Sequence, residues 1–202
     1  MHANIFFIAR RQFTLMILYK NRRKNLQLIQ PLLDGNVDII GDIHGEIDAL
    51  NALLIQLGYN LQGEHPEARK LVFVGDLCDR GPNSLAVIKK VKQLIDAGHA
   101  QCVLGNHELN LLINSKREGN GWFYGSPHED DHKAFNSIAA LVEDREWIMA
   151  FLQTLPLALE SQRLRIVHAC WDNGAVAKLK ALKHRSVADT YQFYENQVQQ
   201  LC

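Results

Sequence analysis

Four short apolar runs in this chain stop abruptly at metal-competent polar residues, and that pattern narrows the fold more than any other feature. Val37 to Ile40 runs into Gly41-Asp42-Ile43-His44-Gly45. Leu71 to Val74 runs into Gly75-Asp76-Leu77-Cys78-Asp79-Arg80-Gly81. Gln101 to Leu104 runs into Gly105-Asn106-His107-Glu108, and Ile166-Val167 leads into His168. Runs of this length, bounded by turn residues, read as buried strands. Between them lie helical patterns. Ile47, Leu50, Leu53, Leu54 and Leu57 recur at helical spacing, with Gly58 where a C-terminal cap belongs. Pro82 and Asn83 open a second helix through Leu85, Ile88, Val91 and Ile95, and Gly98 closes it. Strand, helix, strand, helix predicts an α/β domain, and ligands of such sheets gather at strand carboxyl ends.

The rest of the chain is less regular. A short helix is predicted through Leu109, Leu112 and Ile113, and a long polar loop from Gly119 to His132. Helical spacing returns through Ile138, Leu141, Trp147, Ile148 and Phe151 until Pro156 stops it. Leu157 to Leu159 and Leu164 to Val167 read as paired strands, and Asn173 to Cys202 as mostly helical. With 202 residues the chain suits one domain. We assign residues 1–30 to an N-terminal extension and 31–202 to the domain. Phe6 to Tyr19 is apolar but is broken by Arg10, Arg11 and Gln12, which excludes a spanning helix and leaves an interfacial helix, a terminal helix or strand packed on the domain, or an ill-ordered extension. Basic and acidic residues balance at 22 each, so no global charge draws the chain to nucleic acid or membrane. Cys78, Cys102, Cys170 and Cys202 form no C-x-x-C pair, consistent with reduced thiols and a cytoplasmic location.

Any one of the polar clusters has an ordinary alternative. Asp42 or Asn106 could be a helix N-cap, and His168 a hydrogen-bonded semi-buried side chain. Together they place three carboxylates (Asp42, Asp76, Asp79) and three imidazoles (His44, His107, His168) near one rim. Such a grouping is costly unless cations compensate it. Oxygen and imidazole donors without thiolate suit manganese, with iron or zinc as alternatives. The donors exceed the needs of a single ion, and Asp76, central among them, can bridge two.

These blocks resemble the signatures of calcineurin-like metallophosphoesterases: G-D-I-H-G, G-D-x-x-D-R-G and G-N-H-E. The similarity is to the phosphoprotein-phosphatase branch, with its small bacterial protein phosphatases and bis(5′-nucleosyl)-tetraphosphatases. The resemblance implies a sandwich of two mixed β-sheets flanked by helices. It implies two divalent cations, the first on Asp42 and His44, the second on Asn106 and His168, with Asp76 bridging. Asp79 and His107 resemble the family's Asp–His pair, in which the imidazolium protonates the leaving oxygen. Arg80 resembles its phosphate-gripping arginine, and Asn106 also reaches substrate. The activity implied is hydrolysis of a phosphoester or phosphoanhydride by a hydroxide bridging the cations. The partner implied is a phosphorylated protein or a dinucleoside polyphosphate.

The family's further metal-binding His, in a G-H context after the His168 block, has no clear counterpart. His184 lies in a basic helical stretch and is read as no ligand, and the chain is expected to stop before the strands that would supply one. That leaves a truncated chain or a minimal variant with a weakened second ion. The competing function is an inactive metal-binding or interaction module. Two other segments stay open. His128, Glu129, Asp130, Asp131 and His132 form either another metal site or a solvated loop. Gly119 to Tyr124 either lines the substrate cleft or plugs its aromatics into the core. Cys78, inside the metal loop, is a small apolar side chain with conceivable thiol sensitivity.

Overall fold

A computed structural model of the chain describes residues 27–126, 136–182 and 185–200. The N-terminal apolar stretch, the His128–His132 cluster, His184 and Cys202 lie outside these residues. The described chain runs β1 (Ile29–Pro31), β2 (Val37–Ile40), α1 (Ile47–Gln56), β3 (Lys70–Phe73), α2 (Ser84–Asp96), β4 (Ala100–Cys102), α3 (Asn106–Leu112), α4 (Gly121–Tyr124), α5 (Val142–Leu152), β5 (Ala158–Glu160), β6 (Arg165–Val167), α6 (Asn173–Ala181) and α7 (Val187–Gln199).

The strands form two sheets. One has the order β2-β3-β4 and is parallel throughout, and the other, β1-β5-β6, is mixed. Parallel neighbours need helical crossovers, and α1 and α2 supply them. Leu71, Val72 and Phe73 on the central strand β3 are wholly buried, as expected for a strand covered on both faces. Their alternation divides the core. Leu71 and Phe73 pack with Leu50, Leu54, Val87, Ile88 and Val91 of the helices, whereas Val72 clusters with Val103, just past β4 of its own sheet, and with Leu159 and Ile166 of the facing sheet. Burying a side chain such as Phe73 contributes roughly 1.5–3 kcal/mol. The Gln101 side chain also ties the sheets at their margin, accepting from Leu33 N–H at 2.8 Å and donating to Pro31 O at 2.9 Å.

Helix ends follow local chemistry. The Asn83 side chain caps α2 by accepting from Ala86 N–H at 3.0 Å, and Gly98 leaves the helix at φ +75°. Two readings of the sequence need correction. Ile29–Pro31 is a strand, parallel to β5, that its three residues and terminal proline conceal. Ile138 and Leu141 are not on a helix. They are exposed and precede α5, because this segment runs extended along the loop after β3, with Ile138 N–H on Pro82 O at 2.8 Å. Among the described residues no helix is long and apolar enough to cross a membrane.

Candidate metal centre

The loops that leave β2 and β3 are joined by their main chains, and the loop that leaves β4 is tied to the second of them through the Glu108 and Asp76 side chains. Ile43 and His44 both donate to Asp76 O, at 3.0 and 2.9 Å, and Gly45 donates to Leu77 O at 2.9 Å. The fit is so close that side chains are excluded at key points. A Cβ on Gly81 would lie 1.9 Å from His44 O, and one on Gly105 would lie 2.3 Å from Asp76 N. His44, Asp76, Asp79 and Arg80 all have positive φ, between 45° and 70°. Backbone of this kind is unfavourable for non-glycine residues and persists where surrounding bonds over-determine it, which is common at functional sites.

Glu108 supplies much of that determination. Its carboxylate is wholly buried and accepts from Asp76 N at 2.9 Å and Gly105 N at 3.1 Å through Oε2. Through Oε1 it accepts from Leu77 N at 2.8 Å, Cys78 N at 3.2 Å and the Cys78 thiol at 3.2 Å. Burial pushes the Glu108 carboxyl above its usual range, against the opposing pull of these donors. Burial likewise pushes the Cys78 thiol well up, so Cys78 is a poor nucleophile and Glu108 its partner. The sequence reading missed the support given by Glu108, although its place in G-N-H-E was a visible signal.

The held loops present one cluster of donors. Ligand atoms of Asp42, Asp76 and His168 lie within 4.8 Å of one another, as do those of His44, Asp76 and His107. Asp76 is common to both groups. Its Oδ2 stands 3.8 Å from His44 Nε2, 3.5 Å from His168 Nε2 and 3.9 Å from His107 Nε2. His44 directs Nδ1 at Cys78 O, 3.0 Å away, and His168 directs Nδ1 at Val74 O, 2.8 Å away. Donation to a carbonyl through Nδ1 leaves Nε2 with its lone pair toward Asp76, the arrangement that prepares imidazole for a metal. Asn106 Oδ1 adds an oxygen donor 2.9 Å from His168 Nε2. This donor set fits divalent cations.

A proton-handling pair flanks the cluster. His107 Nδ1 donates to Asp79 Oδ2 at 2.7 Å, and Asp79 is wholly buried. Burial opposes charge on His107, but the hydrogen bond and charge of Asp79, joined by Asp76, raise its pKa overall. The His44 and His107 rings meet edge to face with centroids 4.8 Å apart. Arg80 is exposed at the rim, its guanidinium 3.1 Å from His44 Nε2. The structure thus brings Asp42, His44, Asp76, Asp79, Arg80, Asn106, His107 and His168 to one place. Trp122 and Phe123 are buried, so these aromatics enter the core, and the Trp122 indole donates to Asp79 Oδ1 at 2.6 Å.

The chain is similar to known proteins. A family pattern described as calcineurin-like phosphoesterase matches residues 35–195. The asymmetrical bis(5′-nucleosyl)-tetraphosphatase PrpE of Bacillus subtilis strain 168 is 48% identical over 145 residues, covering 65% of this chain and 56% of that protein. A symmetrical bis(5′-nucleosyl)-tetraphosphatase of Marinomonas sp. strain MWYL1 is 37% identical over 140 residues, covering 66% and 45%. A solved protein serine/threonine phosphatase from Saccharomyces cerevisiae aligns at a TM-score of 0.47 and 20% identity, covering 72% of this chain and 42% of that one. The chain spans about half the length of these two curated relatives. With the family pattern running through every loop that carries the cluster, the chain belongs to the calcineurin-like phosphoesterase family.

Proposed function

We propose that this chain hydrolyses a phosphoanhydride or phosphoester with two divalent cations, manganese first among the candidates, and that its substrate class is the dinucleoside polyphosphates. The observation that carries the reading is the single carboxylate of Asp76 faced by the Nε2 atoms of His44 and His168. In this reading Asp42 and His44 hold one cation, Asn106 and His168 the other, and Asp76 both. The cations, when bound, supply Lewis acidity and an activated water. The substrate class is supported by the names of two relatives, both bis(5′-nucleosyl)-tetraphosphatases.

The chain's own residues do the remainder. Arg80, exposed at the rim, offers a planar fork to phosphate oxygens, and Asn106 offers its amide alongside. His107, held by Asp79, keeps a proton on Nε2 for the departing oxygen. Such general-acid help is typically worth about 10²–10⁴-fold in rate. The test is purified protein loaded with manganese, iron or zinc, assayed for bound metal and for turnover of bis(5′-adenosyl) tetraphosphate and an aryl phosphate. Metal-dependent turnover is expected, with the dinucleotide preferred. Metal binding with no turnover of either would make the chain a binding module, and failure to bind metal would remove the site.

A further inference from the structure

We propose that Trp122 is a positioning residue for the Asp79–His107 pair, its indole N–H holding the Asp79 carboxylate in the plane that faces His107. The Asp79 carboxylate has one donor on each oxygen: His107 Nδ1 on Oδ2 at 2.7 Å and Trp122 Nε1 on Oδ1 at 2.6 Å. Rotation about the bond to a carboxylate is soft, so a single donor leaves its plane poorly defined. Two donors in different directions define it. The Asp79 main chain is fixed as well, at φ +70° with its N–H on Ser84 Oγ at 2.9 Å. In this fully buried place the main freedom left to the group is the turn of the carboxylate, and Trp122 removes it.

The indole is itself firmly held. Trp122 lies on the one-turn helix α4, which ends at Gly125 with φ +82°. Its carbonyl accepts from Ala140 N at 2.8 Å, and its ring meets Phe123 edge to face at 5.6 Å. Ahead of it, buried Asn120 ties the loop by accepting from Arg117 N at 3.1 Å and donating to Ser115 O at 3.2 Å. An aromatic needed only to fill space would tolerate phenylalanine. Here phenylalanine would leave Asp79 Oδ1 buried without its donor, and the carboxylate would be free to turn from His107.

The proposal rests on the reading of His107 as the acid, so the experiment compares Trp122→Phe with His107→Ala in the metal-loaded protein. Turnover of an alkyl phosphate, which needs the proton, should fall about tenfold or more in Trp122→Phe, while that of an activated aryl phosphate stays within about twofold. Metal content and KM should be unchanged. Equal slowing of both esters, with His107→Ala still discriminating between them, would overturn the role of Trp122. If His107→Ala fails to discriminate, the acid assignment is at fault instead. A second measurement is independent of turnover. The His107 Nδ1–H proton should exchange slowly with water in the native protein and faster in Trp122→Phe, and unchanged exchange would overturn the proposal. Should Trp122→Phe not fold, replacing tryptophan by its sulfur isostere removes the same N–H at constant shape, and the exchange measurement decides.

Discussion

The buried carboxylate of Glu108 accepts the backbone N–H of Asp76 at 2.9 Å, so a side chain at the start of one helix holds the loop that carries the central carboxylate of the cluster. Both oxygens of Glu108 are engaged, Oε2 by Asp76 and Gly105 and Oε1 by Leu77 and Cys78. In Glu108→Gln, whichever oxygen becomes an amide nitrogen would face backbone donors with another donor. Each buried donor left unpaired costs about 1–3 kcal/mol, so a loss of roughly 2–6 kcal/mol is expected. Urea unfolding checks this, together with a loss of bound metal as the Asp76 loop relaxes. An unchanged midpoint would mean the loop is held by something else.

Asp76 sets a carboxylate oxygen within 4 Å of both His44 and His168. Asp76→Asn keeps an oxygen able to accept the main-chain N–H of His107 but removes the charge that both cations would share. We expect metal content to fall further than in Asp42→Asn or Asn106→Ala, each of which would serve one ion in the proposed arrangement. Turnover should fall by more than about 10²-fold, a larger loss than removing a ligand's supporting partner causes. A variant that kept two metals and near-normal turnover would show that Asp76 does not bridge.

How much of this was legible in the sequence depends on how local each cause is. The β2–β4 strands and helices α1 and α2 show as apolar runs and periodic spacing closed by Gly58 and Gly98, because burial and capping act on neighbours along the chain. Asp42, Asp76 and Asn106 were visible for a related reason: each shortly follows a parallel strand of one sheet, and parallel strands place their carboxyl ends together, whereas His168 follows β6 of the other sheet. β1 was hidden, since Ile29-Gln30-Pro31 is too short to show a pattern, ends in proline and gains its structure from distant β5. The Trp122–Asp79 bond was equally hidden. Both an aromatic lining a cleft and one entering the core satisfy the same sequence, and only the fold brings the indole to that carboxylate.

Gly81 tests how closely the loops must approach. An added Cβ would sit 1.9 Å from His44 O, a main-chain atom that cannot swing aside. Gly81→Ala must therefore separate the loop carrying Arg80 from the loop carrying His44. The expected result is a folded but less stable protein, by about 1–3 kcal/mol as for other overpacking changes, with weakened cation binding. Gly98→Ala is a useful contrast: it meets no atom within 4 Å but places a side chain on strained backbone at φ +75°. It should lose stability while keeping metal. Equal metal loss in both variants would argue against a specific role for the loop contact.

The last prediction concerns a cluster away from the site. Asp38 on β2 accepts from Arg69 Nε at 2.7 Å and from Tyr59 OH at 2.7 Å, and Arg69 also pairs with its other oxygen. The Arg69 hydrogen bond, helped by Tyr59 and opposed by burial, holds the Asp38 carboxyl below its ordinary value of 3.8. The folded protein therefore binds this proton less readily than the unfolded chain. The stability so gained is fully present above the unfolded value and is lost as pH falls through the lower, folded one. Removing the partner in Arg69→Ala should return Asp38 toward its ordinary value. The variant should be weaker than the native protein at neutral pH, and the gap should narrow as pH drops below about 4. Because the pair is partly exposed, added salt should shrink the neutral-pH gap as well. Urea midpoints across that range, beside a direct titration of the Asp38 carboxyl carbon, check the sign. Parallel stability curves for the two proteins would show that Arg69 does not lower the Asp38 pKa.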